Sequence, residues 1–142
     1  MAGLAKLRKE IETVSRNIIA AVEDIFFAAK IRATAEHLGI EVRFIKSIDA
    51  LIESARAERP TLIIADLHAE RLKPDALAEK LKSDEHLKNI PLIGFFSHVQ
   101  TDLQRRALES GFDRVLPRSA FTKNLPEILQ SENLLGFKGD AG

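Results

Sequence analysis

The chain has 142 residues, a formal net charge of zero and no cysteine. This length is that of one domain with one substantial core, and the balanced charge gives no indication of binding to nucleic acid or to an anionic membrane. The absence of cysteine excludes disulfides, thiolate metal sites and cysteine nucleophiles, and we expect a soluble protein of the reducing cytoplasm without a membrane span.

The first part of the chain is predicted to form an amphipathic helix. Four apolar residues recur every three or four positions and so share one stripe: Leu4, Leu7, Ile11 and Val14. Two heptads are too few for a reliable coiled coil, so packing on the domain's own surface and pairing with a second chain are both open. We therefore predict this helix over 1–15, a domain over 16–131 and a flexible tail over 132–142.

Beyond that helix, short apolar runs alternate five times with longer helical stretches, which is the pattern of a parallel sheet. The predicted strands cover 17–22, 41–45, 62–65, 92–96 and 114–117. The first and third are apolar at nearly every position, as central strands are, whereas the second alternates and belongs at an edge. The predicted fold is a flavodoxin-like, doubly wound α/β sheet of strand order 2-1-3-4-5, with helices on both faces.

Local signals set the bounds of the predicted helices. The first covers about 26–38 and ends at Gly39, while the second follows Ser47 as its N-cap. Phe26 and Phe27 open the first helix, and core packing is the favoured interpretation: we expect one in the core, while the other, where partly exposed, would mark a contact surface. The remaining helices are predicted from Pro74, over 100–110, and over 124–131 with Asn124 as a cap.

Acidic side chains stand where two central strands end. Glu23 and Asp24 follow the first strand, and Asp66 follows the third. In strand order 2-1-3-4-5 these ends meet at the switch point, where open parallel sheets bind their ligands. Carboxylate oxygens suit Mg²⁺, which binds through one or two carboxylates and keeps several waters. The sequence thus predicts a magnesium pocket, although the acid pair also suits the N-terminus of the first helix, and both roles can coexist.

In this arrangement the chain resembles the receiver family of response regulators, the phosphoacceptor domains of two-component signalling. The resemblance covers residues 17–131. It implies that Asp66 is the phosphoacceptor and that Arg118, at the position of the family's Lys, pairs with the bound phosphate. Arg118 can also be a solvated cation paired with a surface acid. The family's magnesium ligands fall on Glu23, Asp24, Asp66 and the backbone carbonyl of His68.

Several positions depart from the family's pattern. Phe96 stands at the switch position, where receivers carry a Thr or Ser that moves to meet the phosphoryl group. Ser97 is one residue later and would replace that hydroxyl only if the strand end bulges, since successive strand residues point to opposite faces. Ser119 stands at the family's cis proline, and the loop over 67–73 lacks its usual Met-Pro and Asp-Gly. The chain therefore resembles an atypical receiver.

Three functions remain open at this point. The resemblance implies a signalling domain rather than an enzyme, phosphorylated by a sensor histidine kinase or served by another signalling protein, and acting by protein contact. Without phosphorylation it would be a pseudo-receiver that serves as an interaction module or a homodimer. A small phosphohydrolase or phosphotransferase using the same acids is the third, although His68 stands where such hydrolases often place a second acid. We assign no catalytic residue and expect no nucleic acid or membrane partner.

Overall fold

A five-stranded parallel sheet forms the centre of the part of the chain that the computed structural model describes, residues 16–97 and 101–130. The strands are β1 (Asn17–Ala21), β2 (Glu41–Phe44), β3 (Leu62–Asp66), β4 (Leu92–Phe96) and β5 (Arg114–Pro117). Their order is β2-β1-β3-β4-β5, and every neighbouring pair is parallel. The predicted fold class and strand order are confirmed. The helix predicted over 1–15 and the tail predicted over 132–142 lie outside the described residues.

Helices cover both faces of this sheet. They are α1 (Ile25–Leu38), α2 (Ile48–Glu58), α3 (Pro74–Ser83), α4 (Thr101–Ser110), α5 (Arg118–Lys123) and α6 (Leu125–Gln130), with a 3-10 turn over Glu70–Leu72. In the described residues no helix combines the length and the hydrophobicity that crossing a membrane requires. The last helix predicted from the sequence is present as α6, whereas α5 was not predicted. Asn124 lies between them, and its side-chain amide donates to the carbonyl of Ala120 at 2.9 Å.

The end of α1 and the start of α2 have the causes that the sequence predicts. Gly39 takes a left-handed conformation with φ of 71° and donates its N–H to the carbonyl of Glu36 at 3.1 Å, which ends α1. The hydroxyl of Ser47 accepts the N–H of Ala50 at 3.1 Å and begins α2. Gly39 thus ends the crossover helix between β1 and β2, and Ser47 begins the crossover helix between β2 and β3.

The core lies on both sides of the central strands. Ile18 and Ala20 of β1 point to the face covered by α1, α5 and α6, whereas Ile19 and Ala21 point to the face covered by α2, α3 and α4. All four side chains are fully buried, which explains why β1 is apolar along its whole length. The edge strand β2 alternates between exposed and half-buried residues, as predicted. A rigid centre therefore holds the carboxyl ends of β1 and β3.

A close contact at Gly94 packs the segment after β3 against β4. A Cβ at Gly94 would lie 2.9 Å from Cδ2 of Leu67 and 2.9 Å from Cε2 of Phe112. Leu67 directly follows Asp66, so the missing side chain at position 94 lets the chain turn out of β3 at the level of the acid. Glycine is needed here for space, not for its backbone freedom.

We expect Gly94→Ala to lower the free energy of unfolding by about 1–3 kcal/mol, because the added methyl overpacks a closely packed contact. Urea denaturation of both proteins measures the difference. The cost should be smaller when the same change is made in a Leu67→Ala background, since one of the two contacting side chains is then gone. An equal cost in both backgrounds would contradict this explanation.

Candidate acidic site at the sheet edge

The predicted acids gather at the carboxyl ends of two paired strands. Ala21 of β1 lies opposite Ala65 of β3 in the parallel register. Glu23 follows two residues after Ala21, and Asp66 follows directly after Ala65, so both side chains stand at the same edge of the sheet. The two acids also interact electrostatically, because the negative charge of Glu23 contributes to raising the pKa of Asp66. Both acids therefore lie at the same edge of the sheet, and their sharing of one magnesium ion stays a prediction.

Asp66 is a partly buried carboxylate at the end of β3. Burial is the main cause that raises the pKa of its carboxyl above the ordinary value, and the negative charge of Glu23 acts in the same direction. The N–H of His68 donates to Oδ1 of Asp66 at 2.9 Å, and this bond together with the charge of Arg118 limits the rise in pKa. Ionisation of Asp66 is therefore costly, and the N–H of His68 and the charge of Arg118 offset part of that cost.

Glu23 presents an oxygen toward the interior. Its Oε1 is buried and has no hydrogen-bond partner among the described residues. A buried carboxylate oxygen without a donor is costly, and a cation or an ordered water at that position would satisfy it. Glu23 is therefore the acid whose surroundings most clearly suit a bound cation.

Unlike Glu23, Asp24 has hydrogen-bond partners for both of its carboxylate oxygens. Its Oδ1 accepts the N–H groups of Phe26 at 2.9 Å and Phe27 at 3.1 Å, which makes Asp24 the N-cap of α1. Its Oδ2 pairs with Nη2 of Arg118 at 3.1 Å. The bond from the Phe27 N–H and then the bond from Arg118 are the main causes that lower the pKa of Asp24. The helix-capping alternative from the sequence is present, and both carboxylate oxygens are engaged.

Arg118 enters the site from the beginning of α5, directly after β5. Its guanidinium carbon lies 4.2 Å from the ring centroid of Phe27, in a cation–π contact. Phe27 is buried and packs against Phe95 and Phe121, with ring centroids 4.7 Å and 5.8 Å away. Sequence reasoning missed this role of Phe27, and the only signal for it was the predicted burial of one of the two phenylalanines that open α1. Arg118 is thus held on one side by a carboxylate and on another by an aromatic ring.

The predicted switch position lies at the end of β4. Phe96 is 2% exposed and packs into the core on the face covered by α2, α3 and α4. Its backbone stays in regular register with Pro117 of β5. Ser97 follows the strand and is exposed. Phe96 brings no hydroxyl to the acids, and the replacement of that hydroxyl by Ser97 stays a prediction.

Only part of the predicted ligand set is available to a divalent cation. The described residues contain no group of three or more histidine, aspartate or glutamate side chains arranged around one metal position. Glu23 and Asp66 form an acidic pair with one unsatisfied oxygen, which suits Mg²⁺ because this ion needs only one or two carboxylates. Asp24 is engaged with α1 and Arg118 instead. The carbonyl of His68 as a further ligand stays a prediction.

We expect Asp66→Asn to stabilise the fold at neutral pH. A raised pKa means that the ionised carboxylate is less favourable in the folded chain than in the unfolded chain, so wild-type stability falls as the pH rises from the free-aspartate pKa, about 3.9, through the raised pKa. The variant should unfold at a higher urea concentration than wild type at neutral pH, and the difference should vanish below the free-aspartate pKa.

The control for this measurement is Asp49→Asn, which changes a side chain that is 97% exposed. We expect its urea midpoint to differ little from that of wild type at both pH values. A lower midpoint for Asp66→Asn than for wild type at neutral pH would contradict the assignment of a burial cost to this carboxylate.

Comparison by sequence finds one type of relative. No family model matches the chain. A hybrid signal transduction histidine kinase D of Dictyostelium discoideum is 35% identical over 87 residues, which are 61% of this chain. The matched part is 6% of that protein's length. The chain is therefore similar to a small portion of a much longer signalling protein.

Comparison by structure finds receiver domains. A response regulator from Hahella chejuensis matches with a TM-score of 0.75 and 14% identity, over 87% of this chain and 99% of that one. The receiver domain of a sensor histidine kinase from Pseudomonas aeruginosa, with a magnesium ion coordinated in its active-site cleft, matches with a TM-score of 0.71 and 19% identity, over 82% and 95% of the two chains. A phosphorylated cyanobacterial phytochrome response regulator gives 0.68 and 20%, over 82% and 89%. The resemblance predicted from the sequence is confirmed in three dimensions: the chain has the fold of response-regulator receiver domains.

Proposed function

We propose that the chain is an atypical receiver-like signalling domain of a two-component pathway, with Asp66 as a magnesium-dependent phosphoacceptor. The single observation that carries this proposal is the acidic pair of Glu23 and Asp66 at the switch point of a receiver fold. The magnesium-containing cleft of the Pseudomonas receiver domain supports the choice of ion. In this proposal Glu23 and Asp66 hold the cation, with the backbone carbonyl of His68 as a third ligand.

The proposed chemistry uses Asp66 as a nucleophile. Its Oδ1 is engaged by the N–H of His68, so we assign the attack to Oδ2. A new bond joins Oδ2 to phosphorus while the bond from phosphorus to the donor's oxygen breaks, and with acetyl phosphate the leaving group is acetate. Bound Mg²⁺ would neutralise charge on the phosphoryl oxygens. The charge of Arg118 lowers the pKa of Asp66, and we assign its guanidinium to pair with the phosphoryl group.

Protein contact is the proposed output, and the exposed start of α1 supports it. Phe26 is 82% exposed and Ile25 is 68% exposed, directly beside the N-cap of α1. Phe27 is buried, so one phenylalanine lies in the core and the other is exposed, as expected from the sequence. Adjacent exposed apolar side chains are typical of protein-binding surfaces. We propose a sensor histidine kinase or another signalling protein of the cytoplasm as the partner, and no nucleic acid or membrane.

A phosphate-independent interaction module is the second candidate function. The observation that favours it is the burial of Phe96, which leaves the switch position without a hydroxyl to meet a phosphoryl group. Such a module would work as a pseudo-receiver or through a homodimer. The third candidate, a small phosphohydrolase or phosphotransferase, gains no support, since His68 contributes a backbone N–H to Asp66 where a second acid would be needed.

We expect the chain, incubated with Mg²⁺ and acetyl phosphate, to gain the mass of one phosphoryl group at Asp66. The partly buried carboxylate of Asp66 at the switch point provides the nucleophile for this reaction. Intact-mass spectrometry measures the gain, and reduction of the acyl phosphate with borohydride followed by peptide mapping locates it.

Two carboxylate variants complete this experiment. Asp66→Asn should abolish the gain in mass, while Asp49→Asn, which removes an exposed carboxylate outside the site, should keep it. An unchanged mass for wild type, under conditions that modify a standard receiver, would reject phosphoacceptance and leave the interaction module as the function.

A further inference from the structure

The acidic site already contains a cation that belongs to the chain. The guanidinium of Arg118 is ion-paired with Oδ2 of Asp24 at 3.1 Å and lies over the ring of Phe27 at 4.2 Å. Its charge also acts on Asp66. The side chain of Arg118 is 35% exposed, so part of its charge is shielded from solvent. Two contacts, both with the start of α1, therefore keep one positive charge among the carboxylates.

Asp24 cannot turn toward a metal without losing other bonds. Both of its oxygens are in use, Oδ1 by the N–H groups of Phe26 and Phe27 and Oδ2 by Arg118. A carboxylate that ligates a cation between Glu23 and Asp66 would have to release the guanidinium. While Arg118 is in place, the site thus offers two carboxylates to a divalent cation instead of three.

We propose that Arg118 and Asp24 form a latch that sets the divalent-cation affinity of the acidic site, with the guanidinium withholding Asp24 from the metal. The inference rests on the proposed function only in taking the acidic site as a cation site, and it does not require phosphorylation. In the latched state Glu23 and Asp66 are the only carboxylates that bind the ion, and affinity is low. When Arg118 leaves, Asp24 becomes a third carboxylate ligand, and a positive charge that repels the ion is removed.

The nature of the cation explains why the latch is stable in this chain. A guanidinium is planar and presents several N–H donors, so it can contact the ring of Phe27 and still donate to Asp24. It also stays charged at every physiological pH. A partner protein or a phosphoryl group that draws Arg118 away from Asp24 would therefore raise the affinity of the site for its metal.

The test is a double-mutant cycle of Mn²⁺ binding. The chain has no Trp and no Tyr, so free Mn²⁺ is measured by electron paramagnetic resonance instead of protein fluorescence. The variants are Arg118→Gln, which removes the charge, Asp24→Asn, which keeps an oxygen to cap α1, and the double variant. Urea denaturation of each protein verifies that it is folded.

We expect Arg118→Gln to bind Mn²⁺ about a hundredfold more tightly than wild type, about tenfold from the loss of a unit charge a few ångströms away and about tenfold from the release of Asp24. In the Asp24→Asn background the gain should fall to about tenfold, because the effect of the charge remains and the neutral amide of Asn is a weaker ligand than a carboxylate. The matched control is Arg106→Gln, which removes a guanidinium paired with Asp75 outside the site and should leave the affinity unchanged.

Two results would overturn the latch. One is an affinity of Arg118→Gln that equals that of wild type, including the case in which neither binds Mn²⁺. The other is a gain in the Asp24→Asn background as large as in the wild-type background, because Asp24 would then not be the withheld group. Both results can be distinguished from failure of the proposed function. If Asp66 is not a phosphoacceptor, the mass stays unchanged with acetyl phosphate, whatever the Mn²⁺ affinity.

Discussion

The pairing of β1 with β3 is the constraint on which the rest of the structure depends. Both strands are buried on both faces, so their side chains are almost all apolar, and polar residues appear only where the strands end. The parallel register places Ala21 opposite Ala65, and the residues that follow carry their charges to one edge of the sheet. Hydrophobic burial therefore forces like charges together, at a cost that the surrounding groups must offset.

Several local groups offset that cost, and each acts on a particular acid. Backbone N–H groups at the start of α1 stabilise Asp24, and the N–H of His68 stabilises Asp66. Arg118 adds a full positive charge, which is held in place by Phe27. Glu23 is left with a buried oxygen that no described residue satisfies. The site is thus electrostatically incomplete on the side of Glu23, which is the physical basis for treating it as a cation site.

Much of the fold could be predicted because its signals are local. The period of two in β2, the apolar runs of β1 and β3, and the caps at Gly39 and Ser47 each depend on a few neighbouring residues. The helix α5 was not predicted, because it has only six residues and no side-chain cap at its start. Helices of that length form through packing on the sheet, here by Phe121 and Ile128, rather than through their own propensity.

The sequence by itself determined which acids stand at the ends of β1 and β3 and that these ends meet. The alternation of strands and helices is visible in the chain, and the right-handed crossover rule turns it into a predicted strand order. Only the tertiary structure decided where each carboxylate points. Asp24 takes its partner from Arg118, 94 positions away, and Arg118 takes its orientation from the ring of Phe27. Side-chain rotation is governed by such non-local contacts, because several rotamers are open to an Asp or Arg until a neighbour from another element selects one.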